Sequence, residues 1–276
     1  MKKIKLSAPG KIIISGEHAV VYGYPALVAA VDKRFYLTIK EKKNGWDWQF
    51  GPGLLGRLGL SGMGSSAVYA VLEAGALSFL VNRKLEKEKI SKIAHEIENL
   101  AHETASGVDT TVVTFGGMLF YQKGKGFEKL NFRQLPSFLL INTGKPVENT
   151  KQMIDLVKKN NCRGKLKQIG YLPKKLISAL KKKNWLKLGQ LIRENEKLLE
   201  EIGVVSEKAK KIIRQIEDLG GSAKICGAGG ISKGSGIALA YHKDLEVIRR
   251  FCRKKTLDCF EVKSGGEGIR KEKKRA

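Results

Sequence analysis

The order in which two hydrophobic periods follow one another constrains this chain more than any other feature. Near the start, KIKLSA and RFYLTIKEK alternate apolar and polar residues, as half-buried strands do, and KIIIS follows Pro9-Gly10. Residues 46–60 are Gly-rich and read as irregular. The period then changes. Helices are expected from about Ser66 to Leu80 and from about Lys87 to His102, the second with Ile90, Ile93, Ala94, Ile97 and Ala101 on its apolar face. VDTTVVTFGGMLFYQK reads as a hairpin turning at Gly116-Gly117. After the strand FLLINTG, helices are expected over 150–160, 173–202 with a break, and 206–219. SAKICGAGGISKGSGIALAY reads as strand, glycine loop, strand; a helix over 244–253 and a last strand CFEV complete the chain. Mixing of this kind, without strict alternation, favours an α+β fold over a doubly wound sheet. The 276 residues suit one large domain or two intimate ones.

Hydrophobic residues make up 42% of the chain and charged residues 29%, a balance that supports a packed core and argues against disorder. The longest apolar run, AVYAVLEAGALSFLV, carries Glu73 and does not read as membrane-spanning, and MKKIKLSAPGK has no apolar leader segment. Cys162, Cys226, Cys252 and Cys259 form no CxxC pair and are expected as reduced thiols of a cytoplasmic protein. His95 and His102 lie seven apart with no third ligand in view, so no metal is assigned to them. The formal net charge of +25 attracts phosphates of any kind, nucleic acids included. Its lysines are interleaved with an apolar period in KKLISALKKKNWLK and KAKKIIRQIEDL, as on solvated helix faces. That favours solubility and attraction of small anions over a nucleic-acid groove.

A glycine string poses a sharper choice. In LSGMGSSAVYA, residues 60–70, Gly62, Gly64 and Ala67 match the spacing of a dinucleotide-binding turn. Such a turn needs a buried strand leading in and an acidic residue ending the next strand. FGPGLLGRLGL is a poor buried strand, and VNRKLEKEK downstream is charged and helical, so the dinucleotide reading fails on context. Gly62 and Gly64 still allow a ligand close approach, and Ser65 and Ser66 open a helix whose free N–H groups suit a phosphate. No Walker-type G-x-x-x-x-G-K-[ST] run is present. By itself the loop is equally consistent with a helix entry that binds nothing.

Three further stretches break the tie: APGKIIISGEHAVVYGYPAL (8–27), ENLAHETASGVDTTVVTFGG (98–117) and KICGAGGISKGSG (224–236). With LSGMGSSA they resemble, in order and spacing, the motifs of the GHMP kinases, and the resemblance covers nearly the whole chain. Within that superfamily, GEHAVVYG and the Glu98-x10-Asp109 spacing ending in SGVD are most similar to the mevalonate kinase branch. The resemblance implies an N-terminal α+β domain over 1–145 and a ferredoxin-like α+β domain over 146–276, with the active site between them. It implies ATP-dependent, Mg²⁺-assisted phosphorylation of a small-molecule hydroxyl, foremost mevalonate to 5-phosphomevalonate in isoprenoid biosynthesis. Phosphomevalonate, galactose and homoserine are the alternative acceptors, and a non-catalytic nucleic-acid-binding protein is the rival from another class. Neither a membrane nor a nucleic acid is an expected partner, and a homodimer is an allowed assembly.

Read as residues, Lys11 follows a Pro-Gly bend between two strands, in a chain where surface lysines abound. Asp109 is expected at a strand start, where aspartate commonly caps a turn. Beside a lysine in a cleft it would stay ionised and could take a hydroxyl proton. Glu98 lies on the flank of its helix's apolar stripe near the C-terminal end, where the dipole disfavours an anion unless a cation is near. The resemblance implies more: Asp109 as base, Lys11 orienting the hydroxyl, and Ser66 and Glu98 as oxygen ligands of Mg²⁺. It makes Gly62, Met63, Gly64, Ser65, Ser66 and Ala67 the ATP loop. On the acceptor side it places Glu17, His18 and Thr150 of INTGKPVENTKQ, with the substrate-binding loop Gly227, Ala228 and Gly229 closing against the phosphate loop. Departures from the pattern stand out. The ATP loop lacks its usual proline and has Met63 for Leu, Glu103 and Ala105 replace Gly and Pro, and GAGGIS with an extra Gly-Ser-Gly replaces GAGGGG.

Overall fold

In the computed structural model, residues 3–51, 63–102, 105–132 and 134–273 are described. Strand β1 (Lys3–Ser15) pairs antiparallel with the long β2 (Pro25–Lys42), whose two ends accept β3 (Gly45–Gly51) and β4 (Met118–Gln122). Strand β5 (Gly126–Leu130) pairs with β4, and the short β10 (Arg270–Lys271) returns to β1, giving the order β10-β1-β2-β4-β5 with β3 also on β2. Helices α1 (Ser65–Asn82), α2 (Lys87–His102) and α3 (Val108–Phe115) pack against each other, and α1 and α3 also pack on this sheet.

The second half builds an all-antiparallel sheet from β6 (Ser137–Asn142), β7 (Ser222–Cys226), β8 (Ile237–Tyr241) and β9 (Cys259–Lys263), in the order β7-β8-β6-β9. Between β6 and β7 run α4 (Thr150–Lys159), α5 (Arg163–Lys181), α6 (Trp185–Glu201) and α7 (Glu207–Asp218); α8 (Leu245–Lys254) joins β8 to β9. Strand, helices, two strands, helix, strand is the ferredoxin-like succession. The fold is thus α+β, with β6 already in the second sheet and β10 returning to the first. A single apolar cluster runs through both halves, so they share one core.

Several expectations are corrected here. KIKLSA and KIIIS are one strand, with a register slip between Pro9 and Lys11 rather than a break. Residues 46–51, read as irregular, lie in β3, and β2 begins nine residues before RFYLTIKEK at a buried run, PALVAAV, that has no alternation to detect. VDTTVVTF is a helix, not the first arm of a hairpin. Its β-branched residues favour a strand by propensity, but Val108 and Thr110–Thr114 are all buried, and Thr110, Thr111 and Thr114 each return a hydroxyl hydrogen bond to a carbonyl three or four residues back. Packing overrides propensity. The hairpin lies one element later, at β4–β5. Helix α5 starts ten residues ahead of the expected 173 and runs through Pro173. By length and composition α1 would reach across a bilayer, contrary to the reading of its apolar run, yet half of it is buried within the protein.

Candidate active site

The fold brings five segments around one cavity of about 340 Å³: β1 with the turn after it, the start of α1, the end of α2 with the start of α3, the entry to α4, and the glycine loop between β7 and β8. Lys11 reaches it from β1 and is 2% exposed. Its backbone N–H donates to Met63 O at 3.2 Å, which ties the strand to the loop before α1. Gly64 has φ +71°, and a Cβ there would lie 2.6 Å from Lys11 Cε, so only glycine lets the loop pass so close to the lysine stem.

Lys11 Nζ is 2.8 Å from Asp109 Oδ2. Asp109 sits in the first turn of α3. Its second oxygen, Oδ1, is buried with no hydrogen-bond partner among the described residues. Burial draws the Lys11 ammonium downward, but the charges of Asp109 and, less, Cys226 and Glu17 more than offset it, and the pKa stands above its ordinary value. Glu98, expected on a helix flank, is 8% exposed and also lines the cavity. Its carboxyl is pushed up to about 8, first by burial and then by the negative charge of Asp109, against the opposing pull of Lys11. Two carboxyl groups thus crowd one lysine.

Another part of the cavity wall is built on the turn after β1. His18 holds φ +59° and its Nε2 lies 3.0 Å from Ala228 O. Burial lowers its pKa to about 4, so the ring is neutral at pH 7 and Nε2 must be the donor to that carbonyl. Glu17 is fully buried against Lys224, whose Nζ also donates to Ile13 O at 3.2 Å and Ile225 O at 2.7 Å. Burial raises the Glu17 carboxyl despite Lys224, and its Oε2 has no partner among the described residues. Behind Lys224, Glu196 accepts from Ile225 N at 2.8 Å and is itself raised to about 8 by burial.

Lys11, Glu17, His18, Gly64, Ser65, Ser66, Glu98, Asp109, Thr150, Gly227, Ala228 and Gly229 therefore converge on one wall. Met63 and Ala67 do not: their side chains are buried in the core. Gly62 lies outside the described residues, as does Glu103. The wall carries the carboxyl groups of Glu17, Glu98, Asp109 and Glu148 against the ammonium of Lys11, in a chain whose net charge is +25. The basic charge is elsewhere. Sequence reasoning passed over Lys224, hidden in an alternating strand, and Glu148, one acid in a polar loop. Glu148 directly precedes the capping box Asn149–Gln152 that opens α4, and that box was a legible signal of a helix start at Thr150.

A Gly-rich helix entry facing a lysine–aspartate pair, across from a second glycine loop, defines a phosphoryl-transfer class of site, and the comparisons agree. Residues 60–117 match the GHMP kinases N terminal domain and residues 176–256 the GHMP kinases C terminal domain. A mevalonate kinase of Pyrococcus abyssi is 32% identical, the match covering 87% of this chain and 90% of that protein. The chain belongs to the GHMP kinases. Among solved structures, L. major mevalonate kinase in complex with R-mevalonate superposes with a TM-score of 0.78 at 22% identity, covering 95% of this chain and 96% of that one. Streptococcus pneumoniae phosphomevalonate kinase gives 0.82 at 16% identity, covering 96% and 100%. At these identities the two likenesses bear on the fold alone.

Proposed function

We propose that this chain is an ATP-dependent kinase that phosphorylates mevalonate to 5-phosphomevalonate. The observation that carries the reading is the buried Lys11–Asp109 pair, with Glu98 beside it, in the same cavity as Ser65, Ser66 and the 227–229 loop. The similarity to mevalonate kinases along most of the chain supports the choice of acceptor. Residues 1–145 would carry ATP and the base, and 146–276 the remaining acceptor contacts, within a cytoplasmic protein whose four cysteines are free.

In this mechanism the acceptor hydroxyl lies against the Asp109 carboxylate, beside Lys11 Nζ. Asp109 takes the hydroxyl proton as the oxygen attacks the γ-phosphorus in line; the bond from that phosphorus to the β–γ bridging oxygen breaks and ADP departs. Lys11, paired with Asp109 at 2.8 Å, holds that carboxylate in place and stabilises the attacking oxygen. The N–H groups at Gly64–Ser66 and the α1 dipole receive the phosphates. The donor set fits Mg²⁺: hard oxygens of Ser66 and Glu98, the latter a carboxyl raised to about 8 by burial and by the charge of Asp109, which a bound cation would relieve. Bound there, the ion would neutralise the β- and γ-phosphate charge. His18, Glu17 and Thr150 would hold the acceptor on the opposite side.

The test is ADP release by purified protein with Mg-ATP across mevalonate, phosphomevalonate, galactose and homoserine. Turnover of mevalonate with a product heavier by one phosphate is expected. Turnover of another acceptor alone would keep the kinase and remove the substrate; no turnover of any would remove both.

A further inference from the structure

The departure of the last glycine loop from GAGGGG to GAGGIS falls where a side chain from another element grips it. Glu148, in the loop between β6 and α4, accepts from Ile231 N at 3.2 Å through Oε2 and from Ser232 N at 3.1 Å through Oε1, and Ser232 Oγ donates to the same Oε1. These bonds hold the carboxyl group below its usual range, although partial burial opposes them. The two loops also meet backbone to backbone. A Cβ on Gly230 would lie 2.5 Å from Gly234 O and 2.7 Å from Pro146 Cβ, so glycine is required there.

The inner half of the glycine loop is fastened independently. Ser235 N donates to Thr143 Oγ1, Ser235 Oγ to Gly230 O, and Gly230 N to Val204 O. The outer half, Ile231 and Ser232, is held by Glu148, and Ile231 itself is 44% exposed. Glu148 is two residues before Thr150, which the Asn149 capping box fixes at the start of α4, and Glu148, Thr150 and Gly227–Gly229 all line the cavity.

We propose that Glu148 is a positioning residue for the acceptor: a latch that locks the 227–236 glycine loop to the α4 entry, so that Thr150 and the loop present one rigid wall to the acceptor. The hydroxyl at position 232 gives the latch its third hydrogen bond, which a glycine could not. The latch rests on the reading of this cavity as a kinase site, and its three hydrogen bonds all run to Ile231 and Ser232. Its effect therefore falls on acceptor binding and not on ATP binding or the chemical step.

Two measurements test it. In the ligand-free protein, Glu148→Ala should speed hydrogen–deuterium exchange at the Ile231 and Ser232 amides by about tenfold or more, the loss of one charge-assisted bond each, and leave α1–α3 unchanged. With whichever acceptor the wild type turns over, Glu148→Ala should raise the acceptor KM about tenfold, with kcat within about twofold and the ATP KM unmoved. Glu148→Gln, which keeps one acceptor oxygen, should lie between, and Ser232→Ala should add little in the Glu148→Ala background because the two share one contact. Unchanged exchange overturns the latch whatever the enzyme's acceptor proves to be. An unchanged acceptor KM, or a joint fall of kcat and ATP affinity, overturns its role in positioning.

Discussion

Lys11 and Lys224 are each no more than 2% exposed and each faces a carboxylate, Asp109 in the first case and Glu17 in the second. Their surroundings differ in what is left over. Lys224 spends all three N–H groups, on Glu17 and on the carbonyls of Ile13 and Ile225, and so joins β1 of the first sheet to β7 of the second. Lys11 meets Asp109 alone among the described residues, Asp109 keeps a bare oxygen, and Glu98 stands beside them at a pKa of about 8. Glu17 Oε2 is without a partner among the described residues just as Asp109 Oδ1 is, so the contrast lies in the cations: a lysine whose donors are all matched repays part of the cost of burying it, whereas one lysine crowded by two carboxyl groups holds unfavourable energy that a ligand can relieve. The same ion-pair chemistry thus serves as a joint in one place and as the proposed reactive centre in the other.

The largest effect that would break this contrast is expected at Lys224. Lys224→Met leaves Glu17 buried without its cation and should cost about 3–5 kcal/mol of folding stability, read from the urea midpoint. Glu17→Gln in the same chain should recover part of it, since no charge then remains to be solvated. A Lys224→Met protein as stable as the wild type would show that the joint is no joint. At the reactive centre the opposite split is expected. Asp109→Asn should lower ADP release at least about a hundredfold, with the melting temperature moved less than by Lys224→Met because Glu98 remains beside Lys11 to balance its charge. Full activity would sink its assignment as base.

The third effect is smaller and has a sign that pH reverses. The folded pKa of Glu98, about 8, lies above the ordinary 4.5. Folding therefore favours the protonated form; that contribution is complete below the ordinary carboxyl range and is lost as pH rises through 8. Permanently neutral Glu98→Gln should match the wild type at pH 5 and melt several degrees higher at pH 8.5 in the presence of a chelator. The same variant should need about tenfold more Mg²⁺ for half-maximal activity if Glu98 holds the ion. Equal melting curves at both pH values would mean that Glu98 is not strained.

Much of the site was legible as sequence because its residue types sit in short runs with unusual spacing. The GEHAVVYG run, the glycines before α1, the Glu98–Asp109 interval and the last glycine loop each carry their own local signature, and the four in order left one resemblance. What was misread had one common cause. In VDTTVVTF, β-branched residues favour a strand unless tertiary contacts cover them, and those contacts are invisible in one dimension. PALVAAV has no period because both faces of β2 are covered there. Glu148 could not be picked out, since its partners Ile231 and Ser232 lie more than eighty residues further on.

By itself the sequence determined the class of fold, the order of the motifs and the residue types available for phosphate, proton and cation. Those depend on local period and on chemistry that each side chain carries wherever it lies. Tertiary structure alone decided which charges were matched. It set Lys224 against three acceptors and Lys11 against one, put Asp109 on a helix N-terminus, and pressed Glu98 beside it in a wall of low solvent access. Charge energetics depend on burial and distance, and neither exists until the two sheets share their core.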